Sequence, residues 1–254
     1  MPRPERKGFR NGPLLRYGSV DSTMDVARGL PPSNHPQTVL ASAQTAGRGR
    51  FDRAWVSPGE GGLYLTVRIP WVRPVSQAPL VSIGAALALA RVAKELGCRD
   101  IVLKWPNDLL LSQRKAAGIL AEMTPGDGST ALLVGIGINV SIPAETLSQV
   151  GQPAVSLAEA CGKSLDQEEI LVSFLDHWSE IDQLLETAGF APLAQEFRNR
   201  SDLSGRRFAL STGSGHTAVE VRDIKDDGSL EVTILETGEI QCIFGGELLT
   251  SGLS

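Results

Sequence analysis

Apolar residues fall on alternate positions through residues 131–140: Leu132, Val134, Ile136, Ile138 and Val140 share one parity, Gly135, Gly137 and Asn139 the other. Successive strand side chains point to opposite faces, so the segment predicts a strand with one branched face and one bare face. Glycine inside a strand costs stability and marks a place of close approach, whether by a flat ligand or by a crossing backbone. Further strands are expected at residues 14–17, 38–43, 62–69, 101–104, 109–111 and 115–123, with turns at 105–108, 112–114 and Pro125-Gly126-Asp127-Gly128. Residues 79–96 are apolar almost all round until Arg91, Lys94 and Glu95, which predicts a helix buried against a sheet and ended by Gly97. Residues 168–185 and 192–198 also have helical spacing, with Ile170, Leu171, Phe174, Leu175, Trp178, Ile181 and Leu185 as a core stripe. A short helix to about Arg28 is expected to start at Ser22 as N-cap, with Asp25 as its capping-box partner.

After Ser204-Gly205 the pattern changes to short, evenly spaced strands at residues 206–210, 217–224, 230–235 and 239–244, which suggests a small barrel. The expected fold class is α+β, a mixed and largely antiparallel sheet with helices packed on it, followed by that barrel. Residues 1–12, rich in Arg, Lys, Pro and Gly, read as a disordered lead-in, residues 13–203 as the main domain and residues 204–254 as the barrel domain.

Composition narrows the class. The 254 residues carry 24 basic and 29 acidic side chains, and 42% are hydrophobic, which fits a globular cytoplasmic protein without a membrane span. An acidic balance argues against a general nucleic-acid surface. Three cysteines, Cys98, Cys161 and Cys242, are far apart and odd in number, so they read as buried thiols. The histidines His35, His177 and His216 show no ligand spacing.

Against this acidic background, Arg48, Arg50 and Arg53 crowd into one non-periodic stretch with Gly47, Gly49 and, at its far end, Trp55. The stretch connects two expected strands. Planar guanidinium forks match carboxylate and phosphate, and glycine lets the backbone come close, so the loop is built to close over an anion. Lys115, with Gly118 beside it, places a point charge at the start of a mainly apolar strand, as either a solvated lysine after a turn or an anion ligand. Asn107 and Asp108 read equally as plain turn residues.

Taken together, Gly47-Arg48-Gly49-Arg50 with Arg53 and Trp55, Lys104-Trp105-Pro106-Asn107-Asp108, Lys115 with Gly118-Ile119-Leu120, and residues 135–139 make the chain resemble the biotin protein ligases. Asp52 stands where that family often has glycine, and Met24 where asparagine is frequent. The resemblance implies a class II aminoacyl-tRNA-synthetase-like catalytic domain with an SH3-like barrel, and an enzyme that activates biotin with ATP and Mg²⁺ to biotinyl-5′-AMP. The biotinyl group then passes to a lysine of a biotin carboxyl carrier domain. It implies biotin contacts from Ser22, Thr23, Met24, Gln44, Gly47, Arg48, Gly49, Arg50, Lys115 and Gly118. ATP contacts would come from Arg50, Arg53, Trp55, Asn107, Lys115 and Asn139, and the catalytic groups would be Lys115, Arg48 and Arg50. A loop of this kind is expected to become ordered around the adenylate. Members are often homodimers. A lipoate or octanoate ligase is the nearest alternative, and a biotin-sensing repressor is disfavoured because about a dozen residues precede the first expected strand.

Overall fold

The computed structural model describes residues 8–51, 53–125, 130–212 and 215–249. Seven strands form the first sheet: β1 (Leu14–Val20), β2 (Gln37–Gln44), β3 (Gly62–Pro70), β4 (Ile101–Lys104), β5 (Asp108–Leu111), β6 (Arg114–Pro125) and β7 (Thr130–Asn139), in the order β1-β2-β3-β7-β6-β5-β4. The β1-β2 pair is parallel and every other pair antiparallel. Five more strands, β8 (Arg207–Thr212), β9 (Gly215–Ile224), β10 (Leu230–Ile234), β11 (Ile240–Ile243) and β12 (Glu247–Leu249), make the antiparallel sheet of the small SH3-like barrel, in the order β11-β10-β9-β8-β12. The fold is therefore the mixed α+β class expected.

Helix α1 (Thr23–Arg28) lies on one face of the first sheet and α2 (Ala78–Glu95) on the other. The division follows the alternation along β7. Leu132, Val134, Ile136 and Ile138 join the main apolar cluster under α2, while Leu133 packs with Met24 and Ala27 of α1. Two short helices follow β7, α3 (Ala144–Leu147) and α4 (Leu157–Cys161), and then α5 (Gln167–Ala188) and α6 (Ala191–Arg200). Helix α5 packs outside α2. Its start is fixed by Asp166, whose carboxylate accepts from the Glu168 amide, and by Glu168 and Glu169 near the positive dipole end. Over residues 75–95 the chain is long and apolar enough to span a membrane by length and composition, but 67% of its apolar 18-residue window is buried inside the protein.

The barrel core of Phe208, Leu210, Val219, Val221, Leu230, Val232 and Leu248 is continuous with the main core. Trp105, fully buried, donates its indole N–H to the Gly228 carbonyl at 3.2 Å, fastening the β4-β5 turn to the barrel.

Three expectations need correction. Residues 8–12 are ordered: Phe9–Asn11 form a 3-10 turn, and Phe9 is fully buried with its ring centroid 4.2 Å from that of Trp178. That apolar anchor overrides the polar composition around it, while residues 1–7 lie outside the described residues. Cys98 and Cys161 are bonded to each other with Cα atoms 4.8 Å apart, and Cys242 is exposed, so the set is not three buried thiols. A 63-residue separation hides that pair from any local spacing rule. Asp25 does not complete a capping box; its carboxylate accepts from Arg28 and Arg48, both at 2.7 Å, which leaves Ser22 to cap alone by accepting from the Met24 amide. The Pro-Gly-Asp-Gly turn lies outside the described residues from Gly126 onward.

Candidate active site

The glycine face of β7 is the floor of a cleft roofed by the arginine loop. A Cβ on Gly137 would lie 2.3 Å from Trp55 Cε2, one on Gly118 2.9 Å from Trp55 Cζ3, and one on Gly135 2.8 Å from Met24 Sδ. These three glycines sit side by side through the register Gly118↔Gly137 and Leu120↔Gly135. The indole thus lies flat on bare backbone, with its buried N–H lacking a partner among the described residues.

At one end of the floor a partly buried polar chain is set. The Thr23 amide and hydroxyl both donate to Gln44 Oε1, at 2.8 and 3.1 Å, Thr66 Oγ1 donates to Thr23 Oγ1 at 2.8 Å, and Gln44 Nε2 donates to Ser57 Oγ at 2.9 Å. Each member of the chain fixes the next, so this end offers preorganised donors and acceptors to a small polar ring.

Across the cleft the charges converge. Lys115 Nζ lies 2.8 Å from Asp108 Oδ1 and 5.4 Å from the Trp55 ring centroid. Arg50 donates to Asn107 Oδ1 at 2.7 Å and to the Gly246 carbonyl at 2.9 Å. Arg53 forms two parallel bonds to Glu247, at 2.7 and 2.9 Å, and Arg48 reaches Asp25. Burial lowers the pKa of Arg50, opposed by the charges of Asp108 and Glu247; the hydrogen bond to Glu247 raises that of Arg53. A guanidinium has so high an ordinary pKa that both remain cationic. The loop is itself a small hairpin, with Trp55 N–H on the Gly47 carbonyl at 2.8 Å, Gly49 N–H on the Arg53 carbonyl at 2.7 Å, and an Arg48↔Ala54 bridge.

Of the expected residues, Ser22, Thr23, Met24, Gln44, Arg48, Gly49, Arg50, Arg53, Trp55, Asn107, Lys115 and Gly118 all line this one cleft. Two do not. Gly47 sits at the base of the loop hairpin, where a Cβ would meet the Trp55 carbonyl oxygen at 2.5 Å. Asn139 is buried, and its amide donates to the Lys115 and Val155 carbonyls, both at 3.3 Å, so it braces the start of β6 instead of facing a nucleotide. Asp52 lies outside the described residues. Asp108, Gln152 and Glu247 line the cleft without having been singled out. Asp108 carried a signal in its motif but passed as a turn residue, whereas Gln152 carried none. Glu247 follows a Gly-Gly pair whose partner is remote in sequence.

The signature of the Biotin/lipoate A/B protein ligase family matches residues 18–139. A biotin--[acetyl-CoA-carboxylase] ligase of Paracoccus denitrificans is 35% identical over 218 residues, covering 83% of this chain and 90% of that one. The bifunctional ligase/repressor BirA of Escherichia coli is 33% identical over 82% of this chain, which spans 64% of that relative's length. In structure, a biotin protein ligase from Aquifex aeolicus in complex with biotin and ATP superposes with a TM-score of 0.75 at 27% identity, over 92% of this chain and 97% of that one. The chain belongs to the biotin/lipoate A/B protein ligase family, and within it to the biotin protein ligases.

Proposed function

We propose that this cleft joins biotin to ATP as biotinyl-5′-AMP, releasing pyrophosphate, and then passes the biotinyl group to a lysine of a biotin carboxyl carrier domain. The observation that carries the reading is the meeting of Lys115, Arg50 and Arg53 at one end of a glycine floor whose other end holds the Thr23-Gln44 hydrogen-bond chain. Biotin has a polar ring at one end and a carboxylate at the other, and the cleft repeats that polarity.

The first step brings an anionic carboxylate onto an anionic α-phosphate, so fixed positive charge is the main requirement. Lys115 sits where both oxygens would meet and exchanges its Asp108 contact for them. Arg48 and Arg50 hold the acid and the adenylate under the loop, Arg53 takes the departing phosphates, and Trp55 and Asn107 line the nucleotide side. Ser22, Thr23 and Gln44 hold the ring, and Met24 closes the floor beneath it. Mg²⁺ would meet Asp108, a carboxylate that lines the cleft, once Lys115 has left it for the anions, and take its other ligands from phosphate and water. It supplies further charge neutralisation of the leaving pyrophosphate. No group of three or more His, Cys, Asp or Glu among the described residues forms a metal site by itself. In the second step the acceptor amine attacks the acyl carbon and AMP leaves, while the loop keeps water from the anhydride.

Incubation with ATP, Mg²⁺ and an apo carrier domain tests this by mass spectrometry. A single biotinyl addition with biotin, and none with lipoate, is expected; addition of lipoyl at a comparable rate would overturn the substrate assignment.

A further inference from the structure

The cleft has a wall from outside the first sheet. Two consecutive barrel residues, Gly246 and Glu247, hold the two arginines at the tip of the loop: the Gly246 carbonyl accepts from Arg50 and the Glu247 carboxylate accepts twice from Arg53. We propose that this Gly246-Glu247 segment is a latch, and that the barrel sets the closed position of the arginine loop, with Glu247 as a positioning residue for Arg53.

Three features make the segment a rigid post. Gly246 has φ of +132°, a conformation open to glycine, and a Cβ there would meet Leu210 Cδ1 at 2.9 Å and the Ser211 carbonyl oxygen at 3.0 Å. The carbonyl is therefore turned toward Arg50 by a backbone shape that no other residue takes easily. Glu247 pairs with Ser211 across β8, and the next residue, Leu248, is fully buried in the barrel core. The Glu247 side chain is only 16% exposed, whereas that of Arg53 is 59% exposed, so the carboxylate is the fixed partner and the guanidinium the mobile one. The bond is bidentate, the geometry in which a surface ion pair has a measurable effect.

The loop itself has few internal ties, namely Gly49 to Arg53, Trp55 to Gly47 and Arg53 to Arg50. Among the described residues its tip is also held by the guanidinium contacts to Asn107, Gly246 and Glu247. Removing Glu247 frees Arg53 and leaves Arg50 with less reason to remain folded in. Because Arg53 is the group placed toward the departing phosphates, a loosened latch raises KM for ATP more than it lowers kcat.

The latch deepens the proposed function, but its test does not depend on it. Hydrogen-deuterium exchange of residues 47–56 is measured on the whole protein without substrate for wild type, Glu247→Ala, Glu247→Gln and the swapped pair Arg53→Glu/Glu247→Arg. The two single variants should exchange about fivefold faster in this segment alone, with barrel exchange unchanged, and the swap should recover protection. In turnover assays Glu247→Ala should raise KM for ATP with kcat nearly kept, while the swap restores loop protection without restoring that KM. Wild-type exchange in Glu247→Ala, or no recovery in the swap, overturns the latch. Failure of wild type to form any adenylate would instead overturn the ligase reading and leave the exchange result standing.

Discussion

Lys115 and Asp108 show how single side chains set the chemistry of the cleft. The two are 2.8 Å apart, with only 16% and 13% of their side chains exposed. At an effective dielectric of about 20, opposite charges this close attract by roughly 6 kcal/mol before desolvation is counted. Asp108 therefore holds the ammonium in place inside a partly dry cleft, and an entering anion must displace it. Trp55 is the second such residue. Its indole rests on the space that side chains would fill at Gly118 and Gly137, so a methyl at Gly137, 2.3 Å from Cε2, forces it off the floor. Gly137→Ala should weaken ATP binding about tenfold, the size of one lost stacking contact, and leave biotin affinity close to wild type. Titration calorimetry with each substrate checks this; an unchanged ATP affinity would show that Trp55 does not shape the nucleotide site.

Among elements, α2 and α6 are linked by Arg91 and Glu196, 2.7 Å apart and each 28% exposed. Burial pushes the Glu196 carboxyl upward, but the Arg91 hydrogen bond and charge, helped by Arg200, outweigh it and hold the pKa below the ordinary carboxylate value. A depressed carboxylate stabilises the fold above its unfolded pKa of about 4.3 and loses that contribution as pH falls through the lower folded value. Glu196→Gln should cost about 1 kcal/mol at pH 7 and flatten the acid limb between about pH 5 and pH 3. Urea titrations across that range decide it, since a variant that parallels wild type down the limb would mean the pair contributes nothing. Elements were also the level most legible in the sequence. The period-two pattern of β7 and the apolar run of α2 state their own buried faces, because each is fixed by neighbours within the same segment. Phe9 was not legible. One aromatic residue among charged ones gains its place from partners far along the chain, Thr38 at its amide and Trp178 at its ring.

For the molecule as a whole, the sheet supplies a floor, α1 and β2 a polar end, and the loop a cationic roof held partly by the barrel. Most of the site was legible because its residues cluster in short motifs: the arginine loop, the residues around Lys115, and the glycines of β7 each carry a local signal. Glu247 is 194 residues from Arg53, and Asn139 turns away because buried carbonyls of Lys115 and Val155 claim its amide; neither fact has a local trace. The direct test is biotin-dependent exchange of labelled pyrophosphate into ATP by wild type and Lys115→Ala. The account predicts exchange in wild type only when biotin is present, and a loss of about a hundredfold or more in the variant with circular dichroism unchanged; exchange by Lys115→Ala at the wild-type rate would contradict it.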